Sequence, residues 1–209
     1  MKHFISAVAV VMASSTLAVA GGPITPYVEP QPMQPAAVAV HDWSGVYVGL
    51  GYGKASADVV FTPGGAVDFN DGTITSLHAG YLLQRGSLVY GGELSFGSIS
   101  DLYAIPGFGN NDEIDRVIDL KARLGFAADR FQLYGVLGYS KATYTEVPGG
   151  DWDADGMAYG IGAEYAVSQR MTIGVEYLAR DLSADSPTLV GQTADFNLDT
   201  VSLRVGLQF

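Results

Sequence analysis

The chain has 209 residues, with 22 acidic and 11 basic side chains and a formal net charge of −11. That balance excludes the basic footprint of a nucleic-acid binder, and the absence of cysteine excludes disulfides, thiolate metal sites, a cysteine nucleophile and a lipidated cysteine. Only 16 % of the residues are charged, while 27 are Gly and 12 are Tyr, a poor match to an ordinary soluble surface, about a quarter to a third of which is charged.

Met1–Ala20 reads as a secretory signal: Lys2 supplies the positive start, Phe4–Met12 the apolar core, and Ala18-Val19-Ala20 a small-residue cleavage site before Gly21. Its apolar run falls short of the ~20 residues a spanning helix needs. Residues 21–42 follow as a lead-in rich in proline (Pro23, Pro26, Pro30, Pro32, Pro35). Such a segment stays extended and joins no sheet, so it reads as a periplasmic spacer. Recognition by a partner that binds proline-rich segments is the alternative. No later stretch approaches a spanning helix, so any membrane crossing is made by strands.

From Trp43 a period-two grammar begins, since successive side chains of a strand point to opposite faces. Val46, Val48, Leu50 and Tyr52 alternate with Gly45, Tyr47, Gly49, Gly51 and Gly53. Leu77, Ala79, Tyr81 and Leu83 alternate with Ser76, His78, Gly80 and Gln84, and Arg85-Gly86 makes a tight turn. Leu88, Tyr90, Leu94 and Phe96 then face away from Gly91, Glu93, Ser95 and Gly97. After a loop over 101–114, Ile118, Leu120, Ala122, Leu124 and Phe126 oppose Asp119, Lys121, Arg123 and Gly125. Ala128-Asp129-Arg130 turns the chain into a fifth strand, with Phe131, Leu133, Leu137 and Tyr139 on one face. A loop over 146–155 leads to a sixth strand carrying Met157, Tyr159, Ile161, Tyr165 and Val167 against Gly160, Gly162 and Glu164. Ser168-Gln169 turns it into a seventh, with Met171, Ile173, Val175 and Tyr177 against Thr172, Gly174, Glu176 and Arg180. A loop over 183–194 precedes the last strand, where Val201, Leu203, Val205, Leu207 and Phe209 oppose Ser202, Arg204, Gly206 and Gln208.

Eight strands joined by alternately long and short connections predict an all-β fold, an eight-stranded antiparallel up-and-down transmembrane β-barrel over residues 43–209. The strand lengths are expected near the ~9–11 residues of a tilted membrane strand. A soluble eight-stranded barrel would place its apolar side chains inside. Here the charges share the face opposite the apolar one, and that apolar face carries aromatics near both ends. Phe126, Phe131, Tyr165 and Phe209 form one expected girdle; Tyr52, Phe96, Tyr139, Tyr159 and Tyr177 form the other.

The signal segment, the proline-rich lead-in, the opening Trp43-Ser44-Gly45-Val46-Tyr47-Val48-Gly49 and the final Phe209 together resemble the small outer-membrane β-barrel family. This is the OmpA/OmpX-like and opacity-like group, often called simply porin family. The resemblance implies a place in the outer membrane of a Gram-negative bacterium among its lipids and lipopolysaccharide. It also implies insertion by the barrel assembly machinery, which reads a last strand ending in an aromatic, here Phe209. No peptidoglycan-binding domain is expected after the barrel. Nothing in the sequence names an extracellular partner, a cofactor or a resident metal.

Three constellations carry possible chemistry. Glu93, Asp119, Glu164 and Glu176 share the inner face with Lys121, Arg123, Arg180 and Arg204. This neutral set reads either as a narrow polar conduit for small solutes or, preferably, as a paired interior that fills a barrel only wide enough for its own side chains. Asp151, Asp153 and Asp155 followed by Gly156 begin like a calcium loop, but position twelve is Gly162 instead of the bidentate Glu. The choice there is between a weak surface cation loop and a solvated acidic hairpin. Ser76 and His78 lie two apart on the inner face, beyond reach of lipid and without a positioned acid, so the chain is expected to be no enzyme. The function left is structural or surface-interacting, through four outward loops.

Overall fold

The computed structural model describes residues 41–102, 113–146, 150–185 and 193–209. The signal segment and all of the lead-in except residues 41 and 42 lie outside the described residues. Among the described residues nine strands follow in order: β1 (Gly45–Thr62), β2 (Ala66–Asp68), β3 (Gly72–Arg85), β4 (Leu88–Ser100), β5 (Glu113–Ala128), β6 (Phe131–Glu146), β7 (Gly150–Ala166), β8 (Met171–Asp185) and β9 (Thr193–Gln208). The eight long ones pair antiparallel in sequence order. The sheet closes where β1 meets β9, from Tyr47 opposite Gln208 to Thr62 opposite Thr193. The short β2 folds back on β1 alone, with Val60 opposite Ala66. This is the closed eight-stranded barrel that the alternation predicts.

The three tight connections sit at one end, the turn end. Gly86 adopts φ +63° and Asp129 φ 54°, the left-handed conformation that reverses an antiparallel pair in two residues. The third connection is looser than expected. Residues 167–170 form a four-residue loop in which the N–H groups of Arg170 and Met171 donate to Ser168 Oγ.

At the other end the strands run further than the sequence suggested, 13 residues in β4 and up to 18 in β1. The expected loop over 146–155 is almost all strand. Residues 150–155 pair with 141–146, leaving only 147–149 between β6 and β7. The cause is a change of chemistry at constant geometry. Along β1 the outward positions run Leu50, Tyr52, then Lys54, Ser56 and Asp58, while the inward ones run Gly49, Gly51, then Ala55, Ala57 and Val59. Along β9 the outward Val201, Leu203 and Val205 give way to Asp199, Asn197 and Asp195 toward the loop end, above inward Leu198, Phe196 and Ala194. Below the upper tyrosines the barrel is apolar outside with its charged side chains inside, suited to lipid; above them it is apolar inside and polar outside, like a soluble barrel. An apolar-out rule read along the sequence therefore stops at the girdle, although the strand continues.

Inside, this inversion stacks three layers. Trp43, Tyr47, Leu82, Val89, Ala127 and Ala166 cluster at the turn end. The charged side chains occupy the middle. Val59, Ile74, Leu102, Val117, Phe196 and Leu198 belong to a second buried apolar cluster toward the loop end. The outer belt carries Leu50, Leu120, Ile161 and Leu203 at 61–65 % exposure, a band that only lipid can cover.

Candidate functional site

The middle layer is built on a simple rule of complementary volumes. Long polar side chains stand opposite glycines in register: Glu93 opposite Gly80, Lys121 opposite Gly138, Glu176 opposite Gly162, and Arg204 opposite both Gly51 and Gly174. The glycines vacate the space the long chains fill, so the lumen packs without widening.

All eight charged residues singled out from the sequence are buried there, none more than 7 % exposed. Six of them form a central cluster. Lys121 Nζ lies 2.8 Å from both Glu93 and Glu176, and Arg123 holds Glu164 through two bonds of 3.0 and 2.7 Å. Arg204 reaches across to Glu93, to Glu176 at 2.5 Å and to Glu164 at 3.8 Å. The remaining pair forms a separate knot toward the loop end. Arg180 grips Asp119 in a fork, Nε and Nη2 at 2.7 and 2.9 Å, and Ser95 and Ser140 donate to the same carboxylate. A bidentate guanidinium–carboxylate pair with its spare lone pairs occupied is the arrangement that buried charges require.

Two tyrosines complete the cluster: Tyr47, which the alternation of the first strand puts on the inner face without giving it a part, and Tyr134 on the inner face of β6. Tyr47, Gly80 and Glu93 align across β1, β3 and β4, and Tyr47 Oη donates to Glu93 at 2.6 Å. Tyr134, Gly162 and Glu176 align in the same way across β6, β7 and β8, with Tyr134 Oη donating to Glu176 at 3.0 Å. In each rung the ring lies over the middle glycine: a Cβ at Gly80 would come within 2.6 Å of Tyr47 Oη, and one at Gly162 within 2.8 Å of Tyr134 Cε1. Arg123 stacks on the Tyr134 ring at 3.5 Å from its centroid and also donates to Gln132, adding a cation–π contact. The signal that could have found these rungs is an inner tyrosine facing an inner glycine one strand over. Gly162→Ala is expected to displace Tyr134 and lower stability by about 1–3 kcal/mol, the usual cost of overpacking, measured by urea unfolding of the folded protein in lipid vesicles.

Two small interior cavities are lined by described residues alone. A cavity of about 20 Å3 lies between the Asp119 knot and the central cluster, lined in part by Ser76, His78 and Ser202. A second of about 10 Å3 lies beneath, beside Trp43 and Gln208. Each is about the size of one water, so Ser76 and His78 border a space too small for a substrate. At the turn end Trp43, 1 % exposed, is held by its backbone N–H on Gln84 and its indole N–H on the Asp129 carbonyl. His41 meets its ring edge-on at 4.7 Å, and burial pushes the His41 imidazole below the usual histidine range. Gln208 donates to the carbonyls of Asp42 and Ser44, and the Phe209 N–H to that of Val46.

The acidic triplet has no loop to work with. Asp153 and Asp155 stand on the outward face of β7, opposite Thr143 and Lys141; Asp151 is in the same strand, but its side chain lies outside the described residues. Asp155 accepts a bond from Tyr139, and Asp153 lies 3.9 Å from Lys141. An extended backbone cannot wrap oxygens around one cation, and among the described residues no cluster of three His, Cys, Asp or Glu is arranged to hold a metal. The Tyr139–Asp155 bond, with Tyr177 donating to Asp199 at 3.0 Å, places tyrosine hydroxyls at the level where the belt turns polar.

The chain is similar to known proteins along most of its length. The family described as "Outer membrane protein beta-barrel domain" matches residues 32–209. The chain belongs to that family. The 31 kDa outer-membrane immunogenic protein of Brucella melitensis is 27 % identical over 216 residues, covering 87 % of this chain and 89 % of the relative. The crystal structure of Neisserial surface protein A matches at a TM-score of 0.50 with 16 % identity, covering 79 % of this chain and 98 % of its own. The N-terminal barrel domain of Pseudomonas aeruginosa OprF matches at a TM-score of 0.50 with 13 % identity and the same coverage. At such identities the structural matches establish the fold. Family membership places this outer-membrane barrel in a Gram-negative envelope.

Proposed function

We propose that this family member is a non-conducting outer-membrane barrel with a structural and surface-presenting role, not a diffusion channel and not an enzyme. The observation that carries this reading is the central cluster, in which Arg204 spans Glu93, Glu164 and Glu176, with interior cavities of about 20 and 10 Å3 among the described residues on either side of it. An ion entering the axis would have to break several buried pairs at once. The Trp43 cluster below and the Phe196 and Leu198 cluster above would then each have to part. On this reading the extracellular hairpins do the work, the partners of the outer belt are outer-membrane lipid and lipopolysaccharide, and insertion runs through the barrel assembly machinery with Phe209 as the recognised residue.

Single-channel recording of the folded protein in a planar bilayer tests it. The expected trace is silent, while protein from the same preparation migrates as the compact, heat-modifiable form. Discrete steps from the unaltered protein, changed in size by Arg204→Ala, would instead make the axis a narrow path for passive diffusion of small solutes.

A further inference from the structure

We propose that the outer face of β3–β7 holds one anionic phospholipid of the inner leaflet, its acyl chain in a notch at Gly135 and its phosphate on Arg85. The notch, about 370 Å3, is lined by Leu88, Leu124, Phe126, Leu133, Gly135 and Ile161. It exists because Leu124, Gly135 and Ile161 form one row across β5, β6 and β7 and the middle position carries no side chain. A Cβ at Gly135 would meet only the Gly160 carbonyl, at 3.8 Å, so the absence of a side chain there is not forced by packing. Leu124 and Leu133 are 60 % and 57 % exposed on either side. Within a bilayer there is no hydrophobic drive to fill such a space, because lipid tails are as apolar as leucine. The drive is dispersion: walls facing a void lose their contacts, and a flexible chain restores them.

A cation stands one strand beyond the edge of the notch at Leu88. Arg85 ends β3 on the outward face; it pairs with Leu88, which pairs with Phe126, so the guanidinium is rooted one strand from the notch and level with the periplasmic aromatics. Arg85 is exposed and has no ion-pair partner among the described residues. An arginine there extends its stem along apolar surface and its fork into the headgroup layer, where it can take a phosphate bidentately. The same charge argues against a second copy of this chain as the occupant. A two-fold contact through this face would bring two Arg85 side chains together, whereas a phosphate neutralises one.

Native mass spectrometry of the full folded chain, released from detergent micelles doped with dioleoyl phosphatidylglycerol or dioleoyl phosphatidylethanolamine, tests the site. One phosphatidylglycerol is expected to stay bound, about tenfold more than phosphatidylethanolamine, the scale of one charge-assisted contact. Gly135→Leu, which adds an apolar side chain to the lipid face, should remove most of that adduct, and Arg85→Ala should abolish the preference between the two lipids. Leu124→Trp fills the same notch from β5 and serves if Gly135→Leu does not fold. Equal phosphatidylglycerol retention by the unaltered and notch-filled proteins would overturn the proposal. So would a dimer that survives excess lipid and disappears when the notch is filled.

Discussion

Replacing Glu93 with alanine is expected to destabilise the folded barrel by about 3–5 kcal/mol, the cost of stripping one partner from a buried ion pair. Glu93 is 2 % exposed, lies 2.8 Å from Lys121 and 3.9 Å from Arg123, binds Arg204, and accepts the Tyr47 hydroxyl at 2.6 Å. Without it, three cations share Glu164 and Glu176. Adding Lys121→Met to the same chain restores the balance of charge, so the double variant should be more stable than Glu93→Ala alone. Urea unfolding in lipid vesicles, followed by loss of the heat-modifiable form, gives both values. A double variant as damaged as the sum of its two single changes would mean that Glu93 and Lys121 do not share a site, and the β4–β5 register would then be wrong.

Leu203→Arg is expected to cost ~2–4 kcal/mol, as for a charge on the lipid face near the bilayer midplane. Leu203 is 65 % exposed in the middle of the outward apolar run of β9, with Tyr52 and Val175 opposite it. Asn197 occupies the same face of the same strand, past the point where that face turns polar, and stands opposite Asp58 and Asp181. Asn197→Arg should stay within about 0.5 kcal/mol of the parent, as surface changes do. Insertion yield into preformed vesicles compares the two directly. Equal damage would mean that lipid reaches Asn197 and that the change of face near Val201 is misplaced.

Period-two alternation is a local property. A strand fixes the side on which each side chain stands, whatever its neighbours do. Hence Ile118, Leu120 and Leu124 could be assigned outward, and Asp119, Lys121 and Arg123 inward, from β5 alone, and the structure places them so. The same local rule failed from Lys54 onward in β1 and over residues 150–155 in β7. There the strand leaves the bilayer, and the chemistry of its two faces exchanges while its geometry does not. The acidic triplet resembled a loop for that reason: three aspartates at alternate positions are also what a solvated strand face carries.

Parity along a strand needs no knowledge of other strands, so the barrel, the lipid-facing band and the membership of the charged interior are all legible one strand at a time. Which charges meet depends on how the strands are staggered against one another. Arg180 finds Asp119 from 61 residues away and Arg204 finds Glu93 from 111, through the stagger accumulated around a closed sheet, which no single strand encodes. The tertiary structure also decides that Tyr47 and Tyr134 each cross a glycine to reach a glutamate, and that Trp43 seats beneath the charged layer. Those contacts depend on the register between strands, which many long-range pairings set together.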